Sequence, residues 1–186
     1  NAGSDPRAMT TSAIPTDDGS HYVINGEKLW CTNGTKADII VVMAVTPPKI
    51  VKGKERKQIT AFLVEMDTPG VEVSHRCRFM GLKALYNGVI RFADVKIPRE
   101  NMILEEGDGL RLALKTLNTG RLSIPAGVTG NSKWCMKINR KWSNERVQWG
   151  HPIGEHETIA GKQAKIASDT FAMDAVWKLA SSMADD

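Results

Sequence analysis

Two short stretches and two separate arginines are the residues able to do chemistry. Gly3-Ser4-Asp5 joins a hydroxyl to backbone N–H groups in a tight turn, an arrangement able to hold an anion or a phosphate and equally able to be a turn and nothing more. Trp30-Cys31-Thr32-Asn33-Gly34 sets a large aromatic plane two residues from a hydroxyl. On a strand, residues i and i+2 share a face, so this pair can cover and orient a flat heterocycle; the alternative is that Trp30 is ordinary core. Arg121 and Arg146 stand in helical, partly apolar segments, where a guanidinium is either a bidentate phosphate ligand or a surface charge. The four histidines, His21, His75, His151 and His156, form no HExxH pair, and Pro152 and Gly154 interrupt the last two, so no metal site is expected. The nucleophile elbow G-x-S-x-G, the P-loop and G-x-G-x-x-G do not occur, which removes the direct arguments for a serine hydrolase, a P-loop NTPase or a classical dinucleotide fold.

The elements that must position these residues change character near residue 105. Before it the pattern is β. His21 to Ile24 and Glu27 to Trp30 flank Asn25-Gly26, which predicts a type I′ hairpin. Ile39 to Val45 is a continuous apolar run rich in β-branched residues, as expected of a strand buried on both faces, with Ile59 to Val64 as its neighbour. Between them Lys49, Lys52, Lys54, Arg56 and Lys57 follow Pro47-Pro48 and read as a solvated loop. Val71 to Arg78 and Gly88 to Ile97 supply two more strands, giving a small antiparallel barrel or sandwich. After Gly107-Asp108-Gly109 the period is helical, with Asp108 as N-cap and Leu110, Ala113, Leu114 and Leu117 on one face. Pro125 predicts a kink or a restart just after Arg121. Two further apolar stripes read as core: Trp134, Ile138 and Trp142, and then the steps of four and three from Ile159 through Gln163, Ile166, Thr170, Met173, Trp177 and Ala180 to Ala184. That last stripe looks uncovered where the sequence stops, which suggests a missing remainder or an oligomer.

Composition narrows the class. The 186 residues hold 25 Lys and Arg against 21 Asp and Glu, a net charge of +4, and 41% hydrophobic residues, enough for a folded core. Basic and acidic residues are interleaved, which argues against a nucleic-acid partner, and no apolar run approaches the ~18 residues of a membrane span. Cys31, Cys77 and Cys135 are an odd, widely spaced set that fits neither a disulfide scaffold nor structural zinc and suits a reducing compartment. Asn1 to Asp5 contain no initiator Met and no signal-like region, so the chain is expected to be a piece of something longer.

In their order, the segments Ala2–Asp5, Asn25–Gly34, Phe62–Glu65, Thr68–Val71, Met80–Lys83, Phe92–Pro98, Glu100–Asn101, Asn118–Arg121 and Glu145–Gly150 resemble the acyl-CoA dehydrogenases. The resemblance covers nearly the whole chain, and Asn118 to Arg121 leans toward the long-chain branch. It implies an α+β chain in which residues 1–105 form the family's middle β-barrel domain and residues 106–186 the first part of its C-terminal up-down helical bundle. The N-terminal helical domain and the rest of the bundle are then absent. It also implies FAD-dependent α,β-dehydrogenation of fatty acyl-CoA thioesters. In that reaction a glutamate takes the α-proton, the β-hydride passes to the flavin, and electrons go on to an electron-transferring flavoprotein. The relatives allowed by the same elements are an acyl-CoA oxidase-like flavoprotein and a noncatalytic acyl-CoA-binding or scaffold protein.

Residue by residue, the resemblance places Ala2, Gly3 and Ser4 near flavin and bound acyl-CoA, and sets Trp30, Cys31 and Thr32 against the flavin ring. Asn118, Thr119, Gly120 and Arg121 align with the segment that contacts the CoA part of the substrate. Arg146 aligns with the arginine that reaches the FAD pyrophosphate of a neighbouring subunit, with Gln148 and Trp149 beside it. Glu157 stands after His156 where many members carry glutamine, and a carboxylate there repels phosphate. Glu65, Glu105, Glu106 and Glu155 match no base position, so the general base is expected beyond residue 186. The implied assembly is a homodimer or homotetramer, in the bacterial cytoplasm or the mitochondrial matrix.

Overall fold

The structure is a computed structural model that describes residues 2–185; Asn1 and Asp186 lie outside the described residues. It divides into two units, Asn1–Leu114 and Lys115–Asp186. In the first, strands β1 (Ser12–Pro15), β2 (His21–Thr32), β3 (Ile39–Val51), β4 (Lys54–Glu65), β5 (Val71–Arg76), β6 (Asn87–Pro98) and β7 (Met102–Ile103) make one sheet in the order β5-β6-β2-β1-β3-β4-β7. This is the curled half-barrel of an α+β fold. Its pairings are antiparallel except that β1 runs parallel to β3 through Ser12 and Val45. The exception follows from placement. β2 and β3 run in opposite senses, so a short strand inserted between them and hairpinned to β2 must be parallel to β3.

One face of the sheet carries the core. Tyr22, Ile24, Val42, Phe62, Ile90 and Ile97 are buried, and the Tyr22 and Phe62 rings meet with centroids 4.9 Å apart. Alternation is the period-2 pattern of a sheet buried on one side. It corrects the expectation for Ile39 to Val45: Val42 and Ala44 are buried, but Ile39 and Val41 are 56% and 51% exposed on the other face.

The Asn25-Gly26 hairpin does not form. β2 continues through the pair, and Ala93 and Asp94 of β6 stand opposite Asn25 in a bulge. The Asn25 side chain brackets that bulge, accepting the Asp94 N–H at 2.8 Å and donating to the Asp94 carboxylate at 3.0 Å. Gly26 is needed there for two reasons: its φ is 137°, and a Cβ would stand 2.8 Å from the Thr11 Cα. The type I′ turn lies instead at Lys52-Gly53, with φ of 53° and 72°, between paired Val51 and Lys54. What reads as a basic loop is therefore the tip of the β3–β4 ribbon.

Helix α1 runs from Gly109 to Glu145 through Pro125 without interruption, so the expected restart does not occur. Pro125 brings no N–H, which leaves the Arg121 carbonyl without its usual intrahelical donor. Asp108 precedes the helix and holds the Arg111 guanidinium with both carboxylate oxygens, at 3.2 and 3.0 Å. A short ribbon, β8 (Val147–Gln148) and β9 (His151–Pro152), leads to helix α2 (Glu157–Asp185). The two helices pair antiparallel: Lys133 meets Asp174 at 2.6 Å, and Gln163 donates to the Ser143 hydroxyl.

The α2 stripe from Ile159 to Trp177 faces α1, with Thr170 buried and the others half-buried, whereas Ala180 and Ala184 are exposed. The facing seam of α1 is Leu122, Ala126, Thr129, Met136, Asn139 and Ser143. The tryptophan stripe is not the seam. Trp134, Ile138 and Trp142 are exposed, as are Phe171, Val176, Leu179 and Met183 of α2. Both helices therefore carry apolar residues on a second face besides the one they share.

Candidate functional site

The Ala2–Asp5 turn closes with the Asp5 N–H on the Ala2 carbonyl at 3.1 Å, and Gly3 has φ 56°. Positive φ at the first central residue alone is the type II′ pattern, which glycine fills without strain. Ser4 follows it and is exposed. Asp5 then caps the 3-10 turn Pro6–Ala8 by accepting the Arg7 N–H at 3.0 Å.

Trp30 owes its position to a second bulge, in which Leu29 and Trp30 stand opposite Val89 between the Lys28–Ile90 and Cys31–Gly88 pairs. Its φ is 63°, so simple strand alternation does not hold across Trp30 and Thr32. The indole is 60% exposed and stacks on Phe79, centroids 5.7 Å apart and planes 28° from parallel. The core reading of Trp30 therefore fails; the bulge presents an aromatic plane outward. Cys31 does the opposite. It packs against the core, its Sγ lies 3.6 Å from the Lys28 carbonyl, and burial pushes its thiol up.

Thr32 is exposed and accepts a hydrogen bond from the Asn87 side-chain amide at 2.9 Å. Asn87 is itself buried, and its Oδ1 has no partner among the described residues; the same is true of the Thr35 hydroxyl oxygen. A cleft of about 490 Å³ opens beside this strand end, lined in part by Met9, Lys28, Cys31, Thr32 and Asn33. A flat heterocycle such as a flavin fits what the exposed residues offer: an aromatic face at Trp30 and a hydroxyl at Thr32.

The other candidates lie on the helical unit. Asn118, Thr119, Gly120 and Arg121 are exposed on α1, where the Arg121 guanidinium donates to the Asn118 side-chain oxygen at 3.2 Å. A Cβ on Gly120 would meet nothing within 4 Å, so this stretch of helix is open to a ligand. Arg146 ends α1 with its backbone fixed at both sides: its N–H reaches the Trp142 carbonyl at 2.8 Å and its carbonyl accepts from Ile153 at 2.7 Å. Its side chain is exposed, with no ion-pair partner among the described residues. Gln148 and Trp149 occupy the ribbon, which reverses through Trp149-Gly150 with φ of 52° and 85°. Trp149 is 87% exposed and meets the His156 ring edge-on at 5.6 Å, while His156 Nε2 lies 3.1 Å from the Gln148 carbonyl. Glu157 opens α2, where a carboxylate favours the positive end of the helix dipole.

Sequence reasoning missed Phe79 and Asn87. Asn87 precedes the strand expected from Gly88, and only the β2–β6 pairing puts it against Thr32. The carboxylates without an assigned role have local ones: Glu106 accepts from the Tyr22 hydroxyl at 3.4 Å and pairs with Lys49 at 3.4 Å, and Glu155 meets His151 at 3.6 Å.

Residues 1–95 match the acyl-CoA dehydrogenase middle domain, and residues 107–186 match the acyl-CoA dehydrogenase C-terminal domain. A probable acyl-CoA dehydrogenase of Mycobacterium tuberculosis, FadE10, is 52% identical over 184 residues, which is 99% of this chain and 28% of that protein. The short-chain specific acyl-CoA dehydrogenase of Megasphaera elsdenii is 38% identical over 164 residues, 88% of this chain and 42% of the relative. The chain thus spans well under half the length of these curated relatives. Among solved structures, butyryl-CoA dehydrogenase from Megasphaera elsdenii superposes with a TM-score of 0.85 at 35% identity, covering 97% of this chain and 46% of that one. An acyl-CoA dehydrogenase complexed with FAD from Bacillus anthracis gives 0.82 at 34% identity, covering 94% and 29%.

Proposed function

Because this chain belongs to the acyl-CoA dehydrogenase family, we propose that the protein carrying it dehydrogenates fatty acyl-CoA thioesters between Cα and Cβ, with FAD bound and a preference for long chains. The observation that carries the reading is the outward indole of Trp30, stacked on Phe79, two residues before the exposed Thr32 hydroxyl. Bound FAD supplies the acceptor for the hydride leaving Cβ. The residues described here bind and orient. Trp30, backed by Phe79, covers one face of the flavin ring. Thr32, which accepts one hydrogen bond from Asn87, keeps its O–H free to donate outward, and the Cys31 main chain lies between the two. The Ala2–Gly3–Ser4 turn meets both flavin and acyl-CoA, and Asn118 to Arg121 contact the CoA part. Arg146, flanked by Gln148 and Trp149, holds the pyrophosphate of FAD in a neighbouring subunit, where a guanidinium matches phosphate oxygens bidentately.

Proton abstraction needs a carboxylate at hydrogen-bond reach of the substrate's α-carbon proton, and that base is assigned to none of the residues present. Residues 1–105 act as the middle domain and 106–186 as the opening part of the bundle, in a homodimer or homotetramer that passes electrons to an electron-transferring flavoprotein. The bacterial cytoplasm and the mitochondrial matrix are the compartments in which such a protein works; no helix among the described residues is long and apolar enough to cross a membrane.

The test is anaerobic titration of the FAD-loaded full-length protein with acyl-CoAs of increasing chain length, following flavin absorbance. Reduction that is fastest with long chains, and that re-oxidises with electron-transferring flavoprotein but slowly with oxygen, is the expected result. Absence of reduction by every acyl-CoA rejects the reading.

A further inference from the structure

Lys57 belongs to the basic β3–β4 ribbon, yet its ammonium is not a free surface charge. Nζ donates to the carbonyl oxygens of Arg7 and Met9, each at 2.7 Å. Those carbonyls flank the end of the 3-10 turn that follows the Ala2–Asp5 turn. The other hydrogen bonds of this segment are internal: Asp5 to Ala2, Ala8 to Asp5, Met9 to Pro6, and Arg7 to the Asp5 carboxylate. The first backbone bond that joins the strand entry to the sheet comes later, from the Val45 N–H to the Thr11 carbonyl at 2.8 Å. Lys28 adds a weak contact to the Met9 sulfur at 4.0 Å. Among the described residues, Lys57 is therefore the principal polar link between the turn that carries Ser4 and the sheet.

The direction of Lys57 has a cause in the opposite strand. Between the Thr46–Gln58 and Lys49–Arg56 pairs, Pro47 and Pro48 stand opposite Lys57 alone. Neither proline has an N–H to give the ladder, so the pairing slips by one residue, and such a bulge re-aims the side chain beside it. An ammonium suits the task. It has three donors, and a charged donor makes a stronger bond to a carbonyl than a neutral one.

We propose that Lys57 is a positioning residue: aimed by the Pro47-Pro48 bulge, it clamps the 3-10 turn and so holds Ser4 where ligand is received. The inference rests on the reading of Ser4 as a ligand-facing residue. Its test uses the full-length FAD-loaded protein with Lys57→Met, Lys57→Arg, Ser4→Ala and the Lys57→Met/Ser4→Ala pair, measuring amide hydrogen exchange and the Kd of a long-chain acyl-CoA. Lys57→Met should speed exchange at the Asp5, Ala8 and Met9 amides about tenfold while the amides of Ile59 to Val64 keep their rates. It should raise the Kd about tenfold, Lys57→Arg should restore most of both, and the double variant should bind no more weakly than Ser4→Ala. Unchanged exchange at residues 5–9, or fully additive losses in the double variant, overturns the proposal. Faster exchange together with a Ser4→Ala variant that binds like the parent rejects instead the ligand-facing reading of Ser4, and the positioning role falls with it.

Discussion

The side-chain amide of Asn87 donates to the hydroxyl oxygen of Thr32 at 2.9 Å, across directly paired positions of β6 and β2. A threonine hydroxyl can donate or accept, and a solvent-facing one ordinarily does both. Here a buried donor occupies its oxygen, so the proton is free to point outward. A residue with no access to the cleft surface thus takes one acceptor site of the hydroxyl that has it and leaves its O–H free to donate.

Thr32→Val removes the acceptor and leaves a buried amide with neither of its polar atoms satisfied, since Asn87 Oδ1 already lacks a partner among the described residues. The expected cost is about 1–3 kcal/mol, read as a lower urea midpoint. Replacing both partners, Thr32→Val with Asn87→Leu, should recover part of that loss, because no buried polar group is then orphaned. A double variant no more stable than Thr32→Val contradicts the hydrogen bond as the cause.

Trp30→Ala should raise the fluorescence of bound flavin, because an indole lying against the ring quenches it by electron transfer. Phe79→Leu keeps the indole but removes its stacked support, so a smaller change in the same direction is expected. Emission spectra of the two purified holoproteins decide the matter; identical spectra for Trp30→Ala and parent remove Trp30 from the flavin site.

How much of this was legible depended on whether the deciding contact was local. The strands around Tyr22, Val42, Phe62 and Phe92 follow from apolar alternation and β-branched runs, which need no knowledge of neighbours. Asn25-Gly26 and Lys52-Gly53 show where local reasoning ends. Both pairs tolerate positive φ, but β6 runs alongside the first, with a bulge there, while the second joins the paired Val51 and Lys54 and turns. On α1, bulky Trp134, Ile138 and Trp142 outweigh the true seam, whose Thr129, Asn139 and Ser143 are too small and polar to read as core. Trp30 and Thr32 could be picked from their types and spacing. Phe79 and Asn87 could not: Phe79 reaches Trp30 from the loop between β5 and β6, 49 residues away, and Asn87 reaches Thr32 through a β-sheet register 55 residues distant.

Asp174 sets a pH dependence for the helical pair. Hydrogen bonds from Lys133 of α1 at 2.6 Å and Lys178 of α2 at 2.8 Å hold its carboxyl below the usual carboxylate range. A depressed folded-state value means that the stabilisation is present above the unfolded value, near pH 4, and is lost as pH falls through the folded one. Asp174→Asn should therefore lower the urea midpoint at pH 7 and converge with the parent at the acid end. The effect should be modest, and smaller in high salt, because the pair is partly exposed. A constant difference across the pH series would assign the loss to packing instead of charge.

Arg146 presents a guanidinium whose backbone is pinned on both sides and whose side chain has no ion-pair partner among the described residues. Such a group gives up no existing ion pair when it binds, and its fixed backbone sets where the guanidinium starts from, so the gain from a pyrophosphate is reduced mainly by the ordering of the arginine side chain. Arg146→Ala should weaken FAD binding by about 1.5–3 kcal/mol, roughly ten- to a hundredfold in Kd. Arg146→Lys should fall between, because an ammonium supplies the charge without the planar fork. The measurement is the flavin-to-protein ratio after gel filtration at several FAD concentrations. Equal retention by parent and Arg146→Ala would make the exposed guanidinium a surface charge and leave the pyrophosphate without this partner.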